Sequence, residues 1–246
     1  MKTFGTLLKN ELKLNIRNMN MVIFAVIMPL VVLIILGFLY GTKPAAGAAY
    51  TFMDQSFGAL CTISICAGGL MGLPLVVAEY RERKILKRFQ VTPVSPVMLL
   101  AVEFTIYVIY AAVSMLTLFP VARLFWNVTI YGPWLAFLGS WLLTMVSTLS
   151  IGMMVGGIAK NEKTASVIAC ALYFPMLIFS GATLPFEVMP EMMQKIIRVL
   201  PMTQGIQLMK ETSLGLPVGN VWLPILVMGA VTILCTGIAV KCFKWE

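Results

Sequence analysis

The densest group of charged side chains in the chain lies in one short segment, residues 79–96. It carries both signs of charge, and Ile85, Leu86 and Phe89 form a small apolar stripe with the helical spacing i, i+1, i+4. Prolines at its end stop this helix before the next apolar run. A charged helix with an aromatic tip is suited to docking in a cleft of a soluble protein. The alternative is a solvated loop that only fixes the orientation of its neighbours.

Glu103 is the only acidic residue well inside an apolar run. At 1.5 Å per residue it lies about 9 Å from Val97, where that run starts. A carboxylate at such a depth is costly, and it usually pairs with another group or faces a cavity. Glu103 is therefore a candidate for a pathway or gating contact. Its position near the edge favours two alternatives: a carboxylate that reaches the nearer membrane surface, or one that pairs with a basic residue of the N-terminal segment.

Few side chains could carry out catalysis. The chain has no histidine and a single aspartate, Asp54, which excludes Ser-His hydrolases, histidine zinc sites and an aspartyl dyad within one chain. The five cysteines show no Cys-x-x-Cys spacing and lie mostly in apolar runs, which favours a packing role over a metal site or disulfides. We expect no catalytic residue, no metal and no cofactor bound by this chain.

These residues are set in a very apolar chain. Of 246 residues, 60% are hydrophobic and 11% are charged, whereas a soluble domain is about half apolar and about a quarter charged. Too little polar surface is left to cover a compact soluble fold. The composition indicates a polytopic membrane protein. The net charge of +8 comes from basic residues between apolar runs, which is typical of membrane topology rather than nucleic-acid binding.

Six runs are long enough to cross a bilayer, which takes about 20 apolar residues for about 30 Å of hydrocarbon. Prolines within them are tolerated where neighbouring helices satisfy the freed carbonyl groups. We expect one all-α membrane domain over residues 1–246, with spans at about Met21–Tyr40, Phe57–Ala78, Val97–Phe119, Trp134–Ala159, Thr164–Leu184 and Val221–Lys241.

The basic residues predict the orientation of these spans. Thirteen of the 18 Lys and Arg residues fall on the side of the N-terminus and five on the other side. The positive-inside rule then places both termini in the cytoplasm. A cleaved signal peptide is the rival interpretation of the start, but the apolar run is too long for a typical signal sequence.

Residues 1–20 contain a candidate amphipathic helix. Five apolar residues follow helical spacing, while Lys9, Lys13 and Arg17 repeat every four residues on another side. Such a helix lies in the headgroup region with its cations near anionic lipid. It either anchors the topology only or also contacts a cytoplasmic partner.

The outer segment, residues 185–220, predicts two short helices. An apolar helical pattern from Met189 to Leu200 is bracketed by prolines, and a second helix could cover Met202–Thr212. Both are too short to span a bilayer, so we expect an interfacial or re-entrant helical hairpin. Three of its four prolines are further candidates for pathway or gating positions: Pro185, Pro190 and Pro201.

Small residues within the spans predict close helix packing. Glycines four residues apart begin at Gly37, Gly68 and Gly152, and packing within the chain is favoured over dimerisation for each pair. Hydroxyl groups in the second half of the fourth span either line a pathway or bond their own helix backbone: Thr144, Ser147, Thr148 and Ser150.

Two stretches resemble the ABC type-2 (ABC-2) permeases, a family of ABC transporter membrane subunits. One runs from Glu79 to Ser95 and looks like the family's charged coupling segment, which ends in Thr92-Pro93-Val94-Ser95 here. The other, from Ser180-Gly181 through Pro185 and Met189-Pro190 to Leu200–Thr203, is similar to the family's last outer hairpin. The family often has Gly-Thr where this chain has Lys84-Ile85, so we expect a longer coupling helix.

The resemblance implies a half-transporter. Two such subunits, as a homodimer or with a similar partner, would surround a pathway, and each would dock a cytoplasmic ABC ATPase that binds ATP and Mg²⁺. The sequence has no phosphate-loop motif of its own. The residues that would contact the ATPase are Glu79, Arg81, Glu82, Arg83, Leu86, Arg88 and Phe89.

These features leave three functional classes open. The favoured one is an ATP-driven exporter subunit in a bacterial plasma membrane, in contact with lipid and not with nucleic acid. An ion-coupled secondary transporter is the alternative, although such carriers usually place acids near the midplane. A lipid-modifying membrane enzyme ranks last. Drugs, peptides, lipids and glycans all fit as the substrate.

Overall fold

The computed structural model describes residues 2–17, 19–41, 43–44, 50–85, 95–179, 197, 200–216 and 222–242. Within these residues the regular structure is helical, apart from one isolated bridge between Pro44 and Thr51. The helices are α1 (Lys2–Arg17), α2 (Ile23–Tyr40), α3 (Phe52–Glu82), α4 (Pro96–Trp126), α5 (Trp134–Ile158), α6 (Glu162–Phe179), α7 (Pro201–Leu214) and α8 (Trp222–Cys242). One further turn, Met19–Val22, leads into α2.

Six of these helices are long and apolar enough to cross a membrane: α2, α3, α4, α5, α6 and α8. The predicted all-α fold with six spans is confirmed. Two spans are longer than the apolar runs indicated. The second starts at Phe52 and ends at Glu82, and the third continues through Pro120 to Trp126.

The central helix is α3. The rest of the chain buries 83% of its most apolar stretch, against 22% for α2, 17% for α6 and 22% for α8. The outer faces of those three helices are apolar, with Phe38, Val167 and Ile233 largely exposed. Exposed apolar faces of this kind suit a lipid environment, in which the other helices surround α3.

Glycines set the distance between α3 and α5. A Cβ atom on Gly152 would overlap the carbonyl oxygen of Gly69, and one on Gly156 would press against Val77. The other predicted glycine pairs also pack within the chain, since Gly37 faces Trp126 and Gly68 faces Tyr107. The expectation of packing inside one chain is therefore confirmed for these sites.

Each of two helices changes its winding shortly before a proline. Residues Ile23–Ile27 of α2 are π-helical and precede Pro29, and residues Ala67–Gly72 of α3 are π-helical and precede Pro74. The hydrogen bonds Met28 N to Ile23 O and Leu73 N to Gly68 O show the wider turn. A proline clashes with the carbonyl four residues earlier, so a wider preceding turn helps the helix to accommodate it.

The start of α3 is fixed by the single aspartate. Asp54 is buried, and its Oδ2 accepts bonds from the backbone N–H (3.0 Å) and the hydroxyl (2.8 Å) of Thr51. Its Oδ1 accepts a third bond from Thr129 N at 3.0 Å. This carboxylate therefore joins α3 to the loop that follows α4 and satisfies backbone groups at a helix end.

The short helix α7 packs beside α3 in the opposite direction. Its first turn lies at Cys66, whose Sγ is 3.0 Å from the Met202 Sδ, and Met209 lies against Gly58. Ser213 O at its end accepts a bond from Tyr131 N at 2.8 Å. The predicted helix at Met202–Thr212 is confirmed as α7. The helix predicted before it, with Pro185 and Pro190, lies outside the described residues except for Ile197 and Leu200.

We expect Gly152→Ala to destabilise the fold by about 1–3 kcal/mol, because the added methyl group meets backbone rather than a flexible side chain. Gly139→Ala, in the same helix, is the matched control, since a Cβ there meets no atom within 4 Å. Thermal unfolding of both variants in detergent checks this. Equal melting temperatures would contradict the close contact of α3 and α5.

Candidate functional site

The last turn of α3, residues 79–83, carries the described part of the charged segment and is called the α3 end below. Its Arg81 side chain turns towards α5. The Nη1 atom donates to Gly157 O at 2.6 Å and to Ala159 O at 3.0 Å. Both carbonyls lie at the C-terminus of α5, where a cation is favoured by the helix dipole and satisfies orphan acceptors.

Glu82, the next residue, contacts the start of α6. Its Oε2 atom accepts a bond from the backbone N–H of Glu162 at 2.9 Å. The same helix start has a side-chain cap, because Asn161 Oδ1 accepts from Thr164 N at 2.8 Å. A negative charge is favoured at a helix N-terminus, just as the positive charge of Arg81 is favoured at a C-terminus. Arg81 and Glu82 together fix the turn between α5 and α6.

Glu79 and Arg83 form the exposed side of the α3 end. Their side chains make an i,i+4 ion pair at 3.0 Å, and they are 33% and 68% exposed, respectively. Such a pair adds only about 0.3–0.5 kcal/mol to stability, so Arg83 can exchange this partner for another. Of the predicted docking residues, Glu82 and Arg83 are exposed, and Glu79 and Arg81 are half-buried. Arg81 and Glu82 also bond other parts of the chain. Leu86, Arg88 and Phe89 lie outside the described residues.

Lys84 follows the α3 end in the left-handed conformation, with φ of 52°. The helix stops at Glu82, with Arg83 as its C-cap. The expected coupling helix is therefore interrupted at Lys84. The chain adopts here a backbone that favours glycine, although a lysine occupies the position. Ile85 is helical again, and the rest of the segment, residues 86–94, lies outside the described residues.

Glu103 lies on α4 and is fully buried. Its Oε1 accepts a bond from the Tyr80 hydroxyl at 2.9 Å, and the same hydroxyl lies 2.8 Å from Glu11 Oε2 on α1. The N-terminal helix does approach Glu103, as one of our alternatives had it. The prediction of a basic partner is wrong, however, because the group that approaches from α1 is the Glu11 carboxyl, which contacts Glu103 through the Tyr80 hydroxyl. The other alternative, a Glu103 carboxylate that reaches the nearer membrane surface, is also wrong, because this side chain is fully buried.

Glu11, Asn15 and Tyr80 were not singled out by the sequence. Glu11 and Asn15 are only 9% and 7% exposed, and they share the face of α1 that Leu8 and Leu12 turn towards the core. The signal was available in the spacing, since residues 8, 11, 12 and 15 lie on one side of a helix. Two polar residues within an apolar stripe indicate a buried polar contact.

The remaining pathway candidates lie between helices of the same chain. Thr144, Thr148 and Ser150 bond the carbonyls of residues four positions earlier in α5. Thr144 also packs against Gly205 of α7, and Thr148 against Gly69. Pro201 is the first residue of α7, where a proline is favoured because its missing N–H has no partner there.

Metal ligands do not cluster in the described residues: no three His, Cys, Asp or Glu side chains come together there. All five cysteines are free thiols, and Cys61, Cys66 and Cys235 are buried. They fill space between helices, as the Cys66 contact with Met202 illustrates.

These features define a polytopic helical membrane protein whose polar contacts concentrate at one end of its central helix. A sequence model of the family described as "ABC-2 type transporter" matches residues 2–214. The chain therefore belongs to the ABC-2 type transporter family, as the resemblance predicted. Proteins of this family are membrane permease components of ABC transporters, and they are generally paired with an ATPase subunit.

Two curated relatives support this assignment. Nodulation protein J of Rhizobium leguminosarum bv. viciae is 34% identical over 98 residues, which are 39% of this chain and 38% of that protein. The inner membrane transport permease YhhJ of Escherichia coli (strain K12) is 27% identical over 147 residues, 59% of this chain and 39% of that protein. The matched regions thus span well under half the length of these relatives.

We expect Arg81→Ala to destabilise the chain by about 1–3 kcal/mol, because it leaves the carbonyls of Gly157 and Ala159 without their charged donor. Arg83→Ala is the control and should stay within about 0.5 kcal/mol, since its pair is exposed. Hydrogen exchange at residues 157–162, together with thermal unfolding, measures both. Equal effects of the two variants would show that the Arg81 bonds contribute nothing.

Lys84→Gly should stabilise the chain by about 1 kcal/mol, because glycine adopts the left-handed conformation without a Cβ clash. Lys163→Gly provides the opposite case, since Lys163 lies inside α6 and glycine there should cost up to about 1 kcal/mol. Melting temperatures of the two variants should move in opposite directions. A fall for Lys84→Gly would rule out the left-handed backbone at this position.

Proposed function

We propose that this chain is the membrane subunit of an ABC exporter whose energy comes from a separate ATPase. The ATPase binds ATP and Mg²⁺, docks at the α3 end and the segment that follows it, and drives substrate outward. The chain supplies the path and no nucleotide chemistry. Its relatives, a transport permease and a nodulation protein, leave the cargo open between drug, peptide, lipid and glycan.

One observation carries this proposal: the α3 end is at once accessible and connected. Arg83 is mostly exposed beside Glu79, so a partner can reach it. The adjoining residues bond α1, α4, α5 and α6 through Tyr80, Arg81 and Glu82. A displacement of this turn therefore moves four other helices, which is what coupling to an external motor requires.

We further propose that the chain works in pairs, as a homodimer or with a similar subunit, in a bacterial plasma membrane with the α3 end facing the cytoplasm. The excess of basic residues on that side supports the orientation. The apolar outer faces of α2, α6 and α8 leave area for a second subunit as well as for lipid.

The double variant Arg83→Glu with Phe89→Ala should reduce co-purification of the ATPase by at least about ten-fold, because charge reversal at a docking contact costs more than about 1.4 kcal/mol. Arg123→Glu is the matched control: it reverses another exposed charge, near the far end of α4. Pull-down of the complex from membranes measures both variants. Undiminished binding of the double variant would disprove the docking site.

Transport assays of the reconstituted chain separate this function from the ion-coupled alternative. With the ATPase present, substrate movement should require ATP and persist without an ion gradient. Movement driven by a gradient in the absence of the ATPase would instead establish a secondary transporter.

A further inference from the structure

We propose that Glu11, Tyr80 and Glu103 form a proton-binding site, in which one shared proton holds α1 against α3 and α4. This inference stands apart from the proposed ATPase coupling. It concerns three side chains from three helices, two of them carboxyls, that meet at a single hydroxyl group.

The two contacts of the Tyr80 hydroxyl need more protons than one phenol supplies. The Tyr80 oxygen lies 2.8 Å from Glu11 Oε2 and 2.9 Å from Glu103 Oε1, and both distances are those of hydrogen bonds. A phenol has one proton to donate, and an ionised carboxylate has none. Tyr80 can therefore donate to one carboxylate only. The second contact becomes a hydrogen bond if the other carboxyl is protonated and donates to the phenol oxygen.

The described residues place no neutralising cation beside the two carboxyls. Among the described residues, the one ion pair is Arg83–Glu79, and neither Glu11 nor Glu103 has a basic partner. The closest arginine along α3, Arg81, is engaged by the carbonyls at the end of α5. Two ionised carboxylates that share a buried site repel each other and lose hydration, so such a pair retains a proton.

The polar groups around Glu103 are uncharged among the described residues. Tyr107 and Tyr110 lie four and seven residues after Glu103, on the same side of α4. Their hydroxyls and Glu103 Oε2 are buried without a hydrogen-bond partner among the described residues. The Asn15 amide of α1 is also buried, and it donates to Glu11 O at 3.2 Å. These groups offer hydroxyl and amide dipoles but no positive charge, which suits a neutral acid better than a second anion.

The site links the docking of α1 to pH. When α1 leaves, the contacts that hold the shared proton are lost, so the docked state holds one more proton than the released state. Rising pH therefore favours release, and the docking constant should fall by up to about ten-fold per pH unit while the docked state keeps that proton. Docking is strongest at low pH and is lost as the shared proton dissociates.

The test uses the full chain in lipid nanodiscs, with two measurements across pH. Infrared spectroscopy detects a protonated carboxyl group, and hydrogen exchange, corrected for its intrinsic pH dependence, reports the protection of residues 2–17. The variants are Glu11→Gln, Glu103→Gln and Tyr80→Phe. Glu162→Gln is the control, because it removes an exposed carboxyl that takes no part in the contacts among Glu11, Tyr80 and Glu103.

The wild type and Glu162→Gln should show the protonated carboxyl at neutral pH and lose α1 protection as pH rises. Either single glutamine variant should lose the carboxyl signal and keep α1 protected at every pH, because an amide donates without titrating. Tyr80→Phe should leave α1 poorly protected at neutral pH. The proposal is overturned if the wild type shows no protonated carboxyl, or if its α1 protection follows the same pH profile as Glu103→Gln. Protection restored at high pH by sodium ions would also overturn it in favour of a cation site.

Discussion

Three consecutive residues of α3, Tyr80 to Glu82, make the polar contacts on which the rest of this end of the bundle depends. Successive residues of a helix point about 100° apart, so the three side chains leave α3 in different directions. Tyr80 reaches α1 and α4, Arg81 reaches the end of α5, and Glu82 reaches the start of α6. A polar side chain at such a place must find a partner, and here each partner belongs to a different helix.

The helix α3 also contacts its neighbours at two other places along its length. At its start, Asp54 joins α3 to the loop after α4. Midway, Gly69 and Gly152 bring the backbones of α3 and α5 together, while Cys66 contacts α7. Packed interfaces of this kind move as units rather than deform continuously. A change at the α3 end is therefore transmitted along the whole helix to its neighbours.

The sequence was sufficient for the spans because a bilayer imposes a length and a composition that a one-dimensional pattern shows directly. It underestimated α3, since Asp54 and the charged residues after Ala78 end the apolar run but not the helix. Those polar groups are satisfied by tertiary bonds, which no hydropathy pattern contains. The short helix α7 was predicted from its proline and apolar spacing, but its contact with Cys66 depends on packing between distant parts of the chain.

The site was predicted less well, for a related reason. Glu103 stood out because a lone acid in an apolar run is costly. Its partners did not, because Glu11 looked like one charge among several in a basic helix, and Tyr80 looked like part of a charged loop. The sequence shows that burying Glu103 is costly. Only the fold shows that Tyr80 and a second acid, Glu11, lie beside it.

The order of the charges at the α3 end illustrates what a charge count cannot convey. Arg81 was included among the basic residues that set the topology, yet it bonds the C-terminus of α5, and Glu82 bonds the N-terminus of α6. Because α5 and α6 are joined by a short turn, a negative helix end and a positive one lie side by side. Arg81 followed by Glu82 therefore places the positive charge at the negative end of α5 and the negative charge at the positive end of α6. The reverse order, Glu-Arg, would place each charge beside a helix end of the same sign. These two residues therefore position the helices of the permease, while the neighbouring Glu79 and Arg83 remain accessible to a partner.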